Sequence, residues 1–196
     1  INLEDQAPKD FQVCGSNDDV TWDVLASFTG EAPQDDGTSY YTVNAQRGYK
    51  YLALAVNKVN GSTSLTIANI SYYGHKEGDL TRFPEPTRVL KYPHVAMTGP
   101  AQRGYVVSAG SEYSAYEAWE AFDGITGSST VSSYWSGAAT NYPSANGIFS
   151  GGTGAQFTTN VEGVSKYGDW LQIKFPNKVK YSYSTILAPY DHEERL

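Results

Sequence analysis

The chain has very little cysteine, few basic residues and no long apolar run. Cys14 is the only cysteine among 196 residues, which excludes an intrachain disulfide and a thiolate metal site and predicts a small buried side chain. No apolar run approaches the roughly 20 residues that a membrane-spanning helix needs. Because 21 Asp and Glu outnumber 14 Lys and Arg, we expect no nucleic-acid partner and no attraction to an anionic membrane.

Signatures of catalysis are equally scarce. The sequence contains no G-x-S-x-G elbow, and its lone cysteine has no histidine at motif spacing. The three histidines, His75, His94 and His192, do not have metal-binding spacing, and the glycine-dense segment 147–154 lacks the spacing of a phosphate-binding loop. The sequence therefore predicts a protein that is not an enzyme.

The abundant residues are those of β-structure. Tyrosine occurs 16 times and glycine 19 times, while charged residues make up only 18%, a composition that favours strands and turns over helices. Short strand candidates bounded by Gly, Pro, Asn and Asp predict an all-β sandwich. The candidates are Phe11–Cys14, Trp22–Ser27, Tyr49–Val59, Leu65–Tyr73, Tyr105–Ser108, Trp170–Phe175 and Val179–Ala188.

A turn signal lies between two of these candidates. Asn60-Gly61 separates the alternating segments 49–59 and 65–73, and this dipeptide supplies the two positive-φ positions of a type I′ turn. The pattern predicts a β-hairpin.

One segment has helical character instead. In Tyr113–Phe122 the aromatic residues Tyr116, Trp119 and Phe122 recur at three-residue spacing among Ala and Glu. We expect a short helix or helical turn that ends at Asp123 and turns its aromatic side chains toward the core.

Residues 76–100 differ from the rest, because the alternation fades and Pro84, Pro86, Pro93 and Pro100 follow one another among charged residues. Each proline fixes its own φ and restricts the preceding residue. We expect an extended linker.

Residues 8–25, PKDFQVCGSNDDVTWDVL, resemble the middle of a discoidin-type domain, the coagulation factor V/VIII type C or galactose-binding-like family. The spacing of Gly15-Ser16, Asp18 and Trp22 carries this resemblance. It continues through Tyr51-Leu52-Ala53-Leu54 and through residues 67–74, IANISYYG, which resemble the last two strands of the family.

The motifs that open a discoidin domain come after the linker instead of before it. We therefore divide the chain into a C-terminal half of the sandwich at 1–75, the linker at 76–100 and an N-terminal half at 101–196. The opening motifs, in the family's own order, are Tyr105–Ala109, Ala121-Phe122-Asp123-Gly124, Tyr134-Trp135-Ser136, Asp169–Ile173 and Phe175-Pro176.

Two arrangements restore a complete jelly-roll sandwich from these reversed halves. In a circular permutant the halves fold together, the linker spans the old termini, and Leu196 lies close to Ile1. In a tandem or polymeric arrangement each half completes a domain with a neighbouring copy, since a half sandwich exposes a sheet edge and an apolar face. We favour the second arrangement, in which the protein is a repeat unit that associates head to tail with copies of itself.

The resemblance also implies a binding surface, because family members bind glycans or lipid head groups through loops at one end of the sandwich. Tyr134, Trp135, Tyr142 and Phe149 fall in the corresponding loops, and Arg47 precedes a strand that we expect near them. Aromatic faces there would stack on sugar rings. The alternative for Trp135 is a place in the core. A soluble or surface glycan-binding module, or the accessory binding domain of a larger carbohydrate-active protein, is the second functional hypothesis.

A structural calcium is a further implication of the resemblance. Carbohydrate-binding members hold calcium beside the A-F-D-G turn, where this chain has Asp123, together with a carboxylate from the final strand. The matching final-strand residue here is Asn69, and calcium requires six to eight oxygen ligands. The alternative is that Asp123 only caps its own turn.

Two sequons, at Asn60 and Asn69, predict glycosylation. Asn60 lies at the expected hairpin tip and Asn69 within an expected strand. The chain begins at Ile1 without a methionine or a leader, so we expect a processed product or a segment of a longer protein. Together with the resemblance, these features lead us to expect an extracellular or cell-surface adhesive protein.

Overall fold

The computed structural model describes residues 3–32, 38–77, 89–125, 133–138, 141–142, 147–150, 160–161, 164–165 and 168–188. These residues confirm the predicted all-β class. Short 3-10 helices lie at Leu3–Gln6 and Ala118–Phe122, and neither has the length or apolar character to cross a membrane. The strands are β1 (Pro8–Ser16), β2 (Thr21–Phe28), β3 (Thr38–Thr42), β4 (Tyr49–Val59), β5 (Thr66–Ile67), β6 (Asn69–Lys76), β7 (Leu90–Tyr92), β8 (Ala101–Gln102), β9 (Tyr105–Ala109), β10 (Trp135–Ser136), β11 (Asn160–Val161), β12 (Val164–Ser165) and β13 (Asp169–Leu187).

The 19-residue strand β13 belongs to two sheets. Its first part, from Asp169 to Lys174, pairs with β4 on one side and β9 on the other. Its second part, from Val179 to Leu187, pairs with β6 and β3. The register with β4 shifts between Lys174 and Val179, where Pro176 has no backbone N–H to donate. The strand therefore crosses from one sheet to the other at this point.

The two sheets enclose one main core. Through β13 they form one continuous eleven-stranded sheet in two layers: the layer that we call the large sheet has the order β12-β11-β2-β1-β4-β13-β9-β8, and the layer that we call the small sheet has the order β7-β6-β13-β3. Strands β5 and β10 pair in a separate two-stranded sheet. In β3 the side chains of Ser39 and Tyr41 are buried while Tyr40 and Thr42 are exposed, as the two-residue period of a strand requires. The largest fully buried side chains of this core are Phe11, Leu52, Leu54, Leu65, Ile67, Ile70, Tyr72, Trp135, Tyr142, Phe175 and Tyr181.

A smaller apolar cluster is separate from the main core. It contains Cys14, Trp22, Ala53 and Ala55, with the half-buried Trp170 packed against it. Cys14 is fully buried, which confirms the prediction from composition.

Both sheets contain strands from both halves of the chain. The segment before residue 78 supplies β4 and β6, and each of them pairs with β13 from the other half. The two halves thus complete one sandwich within a single chain.

The described ends of the chain also lie near each other. Thr66 donates a side-chain hydrogen bond to Gln6, and the backbone of Ala68 donates one to Leu187 at 2.9 Å. Residues near both described ends of the chain are therefore held by the short segment 66–68. The expected approach of Leu196 to Ile1 lies outside the described residues.

The predicted hairpin at Asn60-Gly61 is wrong. β4 pairs with β1 and β13, whereas β6 pairs with β13 and β7, so the chain passes from the large sheet to the small one after Val59. Gly61 has a φ of 141°, but Asn60 is not among the residues with positive φ. Asn60 and Gly61 follow the end of β4, but the chain does not turn back there to pair β6 with β4.

The segment expected as a linker is partly built into the sandwich. Residues 90–92 form β7 at the edge of the small sheet, and Tyr92 and Met97 are buried in the core. Residues 78–88 of this segment, including Pro84 and Pro86, lie outside the described residues.

The predicted short helix is present as the 3-10 helix Ala118–Phe122, which ends at Asp123. Phe122 is buried, Trp119 is partly buried against the core, and Tyr116 is half-buried.

The contact between β6 and β13 predicts that a substitution by alanine affects stability at Gly74 but not at Gly99. A Cβ on Gly74 would lie 2.3 Å from the backbone oxygen of Lys180, whereas a Cβ on Gly99 has nothing within 4 Å. We expect Gly74→Ala to lower the free energy of unfolding by roughly 1–3 kcal/mol, because the strands must move apart, and Gly99→Ala to change it by less than about 0.5 kcal/mol. Urea unfolding measures both. Equal losses would contradict the pairing of β6 with β13.

Candidate functional site

A buried carboxylate organises the loops at one end of the large sheet. Asp169, which is fully buried at the start of β13, accepts hydrogen bonds from Ser111 Oγ at 2.7 Å, Asn141 Nδ2 at 3.2 Å and the Trp170 backbone at 3.2 Å. A Cβ on Gly137 would lie 2.1 Å from Asp169 Oδ2, so only glycine allows this approach. One side chain thus ties together three separate segments.

Burial determines the charge state of this carboxyl group. Desolvation raises the pKa of Asp169 to about 6, and the hydrogen bonds from Ser111 and Asn141 oppose that rise. The carboxyl group of Asp169 is therefore fully buried and yet changes its protonation state at about pH 6.

Two predicted ligand-binding residues, Trp135 and Tyr142, belong to the core instead. Trp135 Nε1 donates to the carbonyl of Ser111 at 2.9 Å, and the Tyr142 hydroxyl donates to the carbonyl of Val56 at 2.9 Å while accepting from the Asp169 backbone at 3.1 Å. Both side chains are fully buried. Neither has a free ring face for a ligand, because these loops close over the end of the core.

Three tyrosines stack in parallel on the outside of the same loops. The rings of Tyr116 and Tyr134 are 4.5 Å apart and inclined by 11°, and those of Tyr113 and Tyr116 are 6.4 Å apart and inclined by 9°. The Tyr113 backbone donates to Ser136 at 2.8 Å, which attaches the stack to β10. We call these three residues the tyrosine ladder; its outer member, Tyr113, is 49% exposed.

Three glutamates, Glu112, Glu117 and Glu120, belong to the segment that carries Tyr113 and Tyr116. Glu112 caps the backbone of Ala118 at 2.8 Å, and Glu117 accepts from Trp119 Nε1. The pKa of Glu120 is raised, mainly by burial and further by neighbouring acidic groups that include Glu117 and Glu112. The ladder is thus an aromatic surface whose surroundings are rich in hydrogen-bond acceptors.

Tyr134 hydrogen bonds within the ladder to Tyr116 and lies near the charge of Glu120. Burial, the hydrogen bond to Tyr116 and the nearby charge of Glu120 all raise the pKa of Tyr134. Its hydroxyl therefore keeps its proton and remains a donor at neutral pH. Of the predicted ligand-binding residues, Tyr134 is the one that lies in the ladder.

Phe149 and Arg47 occupy other positions. Phe149 is half-buried against Tyr142, with ring centroids 5.7 Å apart. Arg47 pairs with Asp23 beside Tyr49, at the opposite end of β4 from the contact of Tyr142 with Val56. Seven residues of strand separate these ends by roughly 23 Å. The expectation that Arg47 lies near the aromatic loops is therefore wrong.

Both carboxylate oxygens of Asp123 accept hydrogen bonds from nearby groups. The Ser133 hydroxyl and the Ile125 backbone, the latter at 2.7 Å, donate to its two oxygens, so the carboxylate caps its own turn. Among the described residues, no group of three or more His, Cys, Asp or Glu could hold a metal ion. The calcium expectation for Asp123 and Asn69 stays a prediction, since calcium also takes carbonyl oxygens as ligands.

The two sequons differ in accessibility. The amide nitrogen of Asn69, to which a glycan would be attached, is buried, which argues against modification there. Asn60 is half-buried and donates a long bond of 3.4 Å to the carbonyl of Ala7. Its glycosylation stays a prediction.

No family model, no curated protein and no solved structure matches this chain.

The raised pKa of Asp169 predicts a specific dependence of stability on pH. The unfolded carboxyl group, at 3.8, loses its proton before the folded one, at about 6. Ionisation therefore favours the unfolded state, and this contribution to stability, present below pH 4, is lost as the pH rises to 6. The shift corresponds to about 3 kcal/mol.

Urea unfolding of the protein and of Asp169→Asn at several pH values isolates this contribution. We expect the stability of the protein relative to the variant to fall by about 3 kcal/mol between pH 4 and pH 7.5. Parallel pH profiles for the two proteins would show that Asp169 does not titrate in this range.

Proposed function

We propose that this chain is a non-enzymatic, extracellular binding and adhesion module with a discoidin-like sandwich, and that it binds glycans through the tyrosine ladder. The observation that carries the proposal is the exposed stack of Tyr113, Tyr116 and Tyr134 on loops fixed by Asp169. The motif order of the sequence, with the family's closing motifs before its opening ones, supports the discoidin-like assignment. The arrangement of both halves in one sandwich is compatible with a circular permutant.

The chemistry of the ladder suits a sugar. A pyranose ring presents an apolar face that can stack on tyrosine, and its hydroxyls donate to carboxylates. Tyr113 is 49% exposed, and Glu112, Glu117 and Glu120 supply acceptors around the stack. Because the members of the ladder already pack on one another, little side-chain ordering is required on binding.

The state of Asp169 supports a role without catalysis. A raised carboxyl pKa often marks a catalytic acid or base. Here, however, the group is fully buried and accepts three hydrogen bonds from Ser111, Asn141 and the Trp170 backbone. A substrate could not reach the carboxyl group without opening the core. We infer that its role is to hold the loops in place.

Head-to-tail assembly is a second candidate function. Each half supplies neighbours for β13 or β13 itself, and one segment, 76–100, connects the halves. A neighbouring copy could therefore provide the same contacts by exchange of halves, without any new interface. In that case the sandwich described here would form between copies and would build a filament.

Two exposed tyrosines on different surfaces provide the test of glycan binding. Tyr113 lies in the ladder, and Tyr40, which is 70% exposed, lies on the outer face of the small sheet. On a glycan array, followed by calorimetry with the best ligand, we expect Tyr113→Ala to weaken binding about tenfold, the usual cost of removing an aromatic anchor. Tyr40→Ala should leave the affinity unchanged. An absence of binding, or equal effects of the two variants, would contradict the proposal.

A further inference from the structure

A pocket of about 100 Å³ lies at the edge of the small sheet, where the chain leaves β7. We call it the edge pocket. One water needs only about 10–15 Å³ of such space, so the edge pocket has room for a small polar group but not for a whole sugar ring. Its lining combines an apolar part that includes Ile70 and Phe122 with a polar part made of Asn69, Ser71, Lys91 and His94.

The polar part of the edge pocket is basic. Lys91 brings three donors and no acceptor, and it is exposed on the side of the pocket. The ring of His94 packs on that of Tyr92, with centroids 4.4 Å apart, which restricts its orientation. The described residues that line the pocket include no acidic side chain. This is unusual in a chain with a net charge of −7.

An amide at the pocket lacks a hydrogen-bond partner. Asn69 Nδ2 is buried without one, while Asn69 Oδ1 accepts from the Ser71 hydroxyl at 3.4 Å. Turning the amide over would exchange these roles and again leave one atom unpaired. A buried polar group without a partner is unfavourable, and a bound group that engages this amide would relieve it.

We propose that the edge pocket binds the carboxylate of a small organic acid. The Lys91 ammonium and the His94 imidazole supply donors for the two oxygens, and the carbon that carries the carboxylate packs against Ile70 and Phe122. The nearby carboxylate of Asp123 is held away by its bonds to Ser133 and Ile125. This site is separate from the tyrosine ladder. The edge pocket binds an anion through hydrogen-bond donors, whereas the ladder binds sugar hydroxyl groups through nearby acceptors.

Titrations followed by ¹H–¹⁵N NMR test this proposal with three probes: acetate, D-glucuronate and D-glucose. We expect glucuronate to shift the amide signals of Val95, Ala96 and Gly124, which line the pocket, and glucose to leave them unchanged. The same shifts with acetate would mean that the carboxylate suffices. Shifts with glucuronate alone would identify an acidic sugar as the source. Equal shifts with glucose, or none at the pocket, would overturn the proposal.

Two lysines of the small sheet provide matched variants. Lys91 lines the pocket, whereas Lys180, also exposed, pairs with His75 on the neighbouring strand. We expect Lys91→Met to weaken the affinity for the bound acid about tenfold or more, the usual effect of losing a charged hydrogen bond. Lys180→Met, with the same loss of charge, should have no effect. If both weaken binding equally, only net charge matters and the pocket is not the site. Tyr113→Ala should leave the titration unchanged, which separates this result from that of the ladder.

Discussion

The backbone pairing of β13 is the interaction on which the rest of the structure depends. Its residues Asp169–Lys174 and Val179–Leu187 hydrogen bond to four strands, two in each sheet. Three of these strands come from the first half of the sequence, so the core cannot close unless both halves are present. Each half alone would expose to solvent the strand edges at which it pairs with the other half. The single closed sandwich therefore depends on pairing between the two halves of the sequence.

The start of β13 also determines which aromatic side chains reach solvent. Asp169 draws Ser111 and Asn141 inward, and the loops that carry them cover the end of the core with Trp135 and Tyr142. The same loops leave the tyrosine ladder outside. The buried carboxylate of Asp169 therefore holds in place the loops that carry the proposed binding surface. Burying this carboxylate is unfavourable in free energy, and its hydrogen bonds offset part of that. Rigid loops suit a ligand whose rings stack on the flat faces of tyrosine side chains.

Much of the fold could be predicted from the sequence, and less of the site. Alternation and turn residues located the strands because both are local properties. Asn60-Gly61 was misread because a turn signal does not specify the sheet that the chain enters next. Local patterns also cannot distinguish an aromatic residue that closes a core, such as Tyr142, from one on its outside, such as Tyr134. Arg47 lies just before β4, but which loops lie at that end of the strand depends on pairing, which the sequence does not specify. The discoidin resemblance itself remains a hypothesis.

Crosslinking between the halves tests most directly whether one chain forms the sandwich alone. Tyr40 and Thr185 are paired neighbours of β3 and β13, at a separation of about 5 Å between Cα atoms that suits a disulfide. In a Cys14→Ala background, Tyr40→Cys with Thr185→Cys should oxidise to a crosslinked monomer on non-reducing gels, with Tyr40→Cys alone as the control. A series of crosslinked dimers and longer species that disappears on reduction would contradict pairing within one chain. It would show that neighbouring copies exchange their halves.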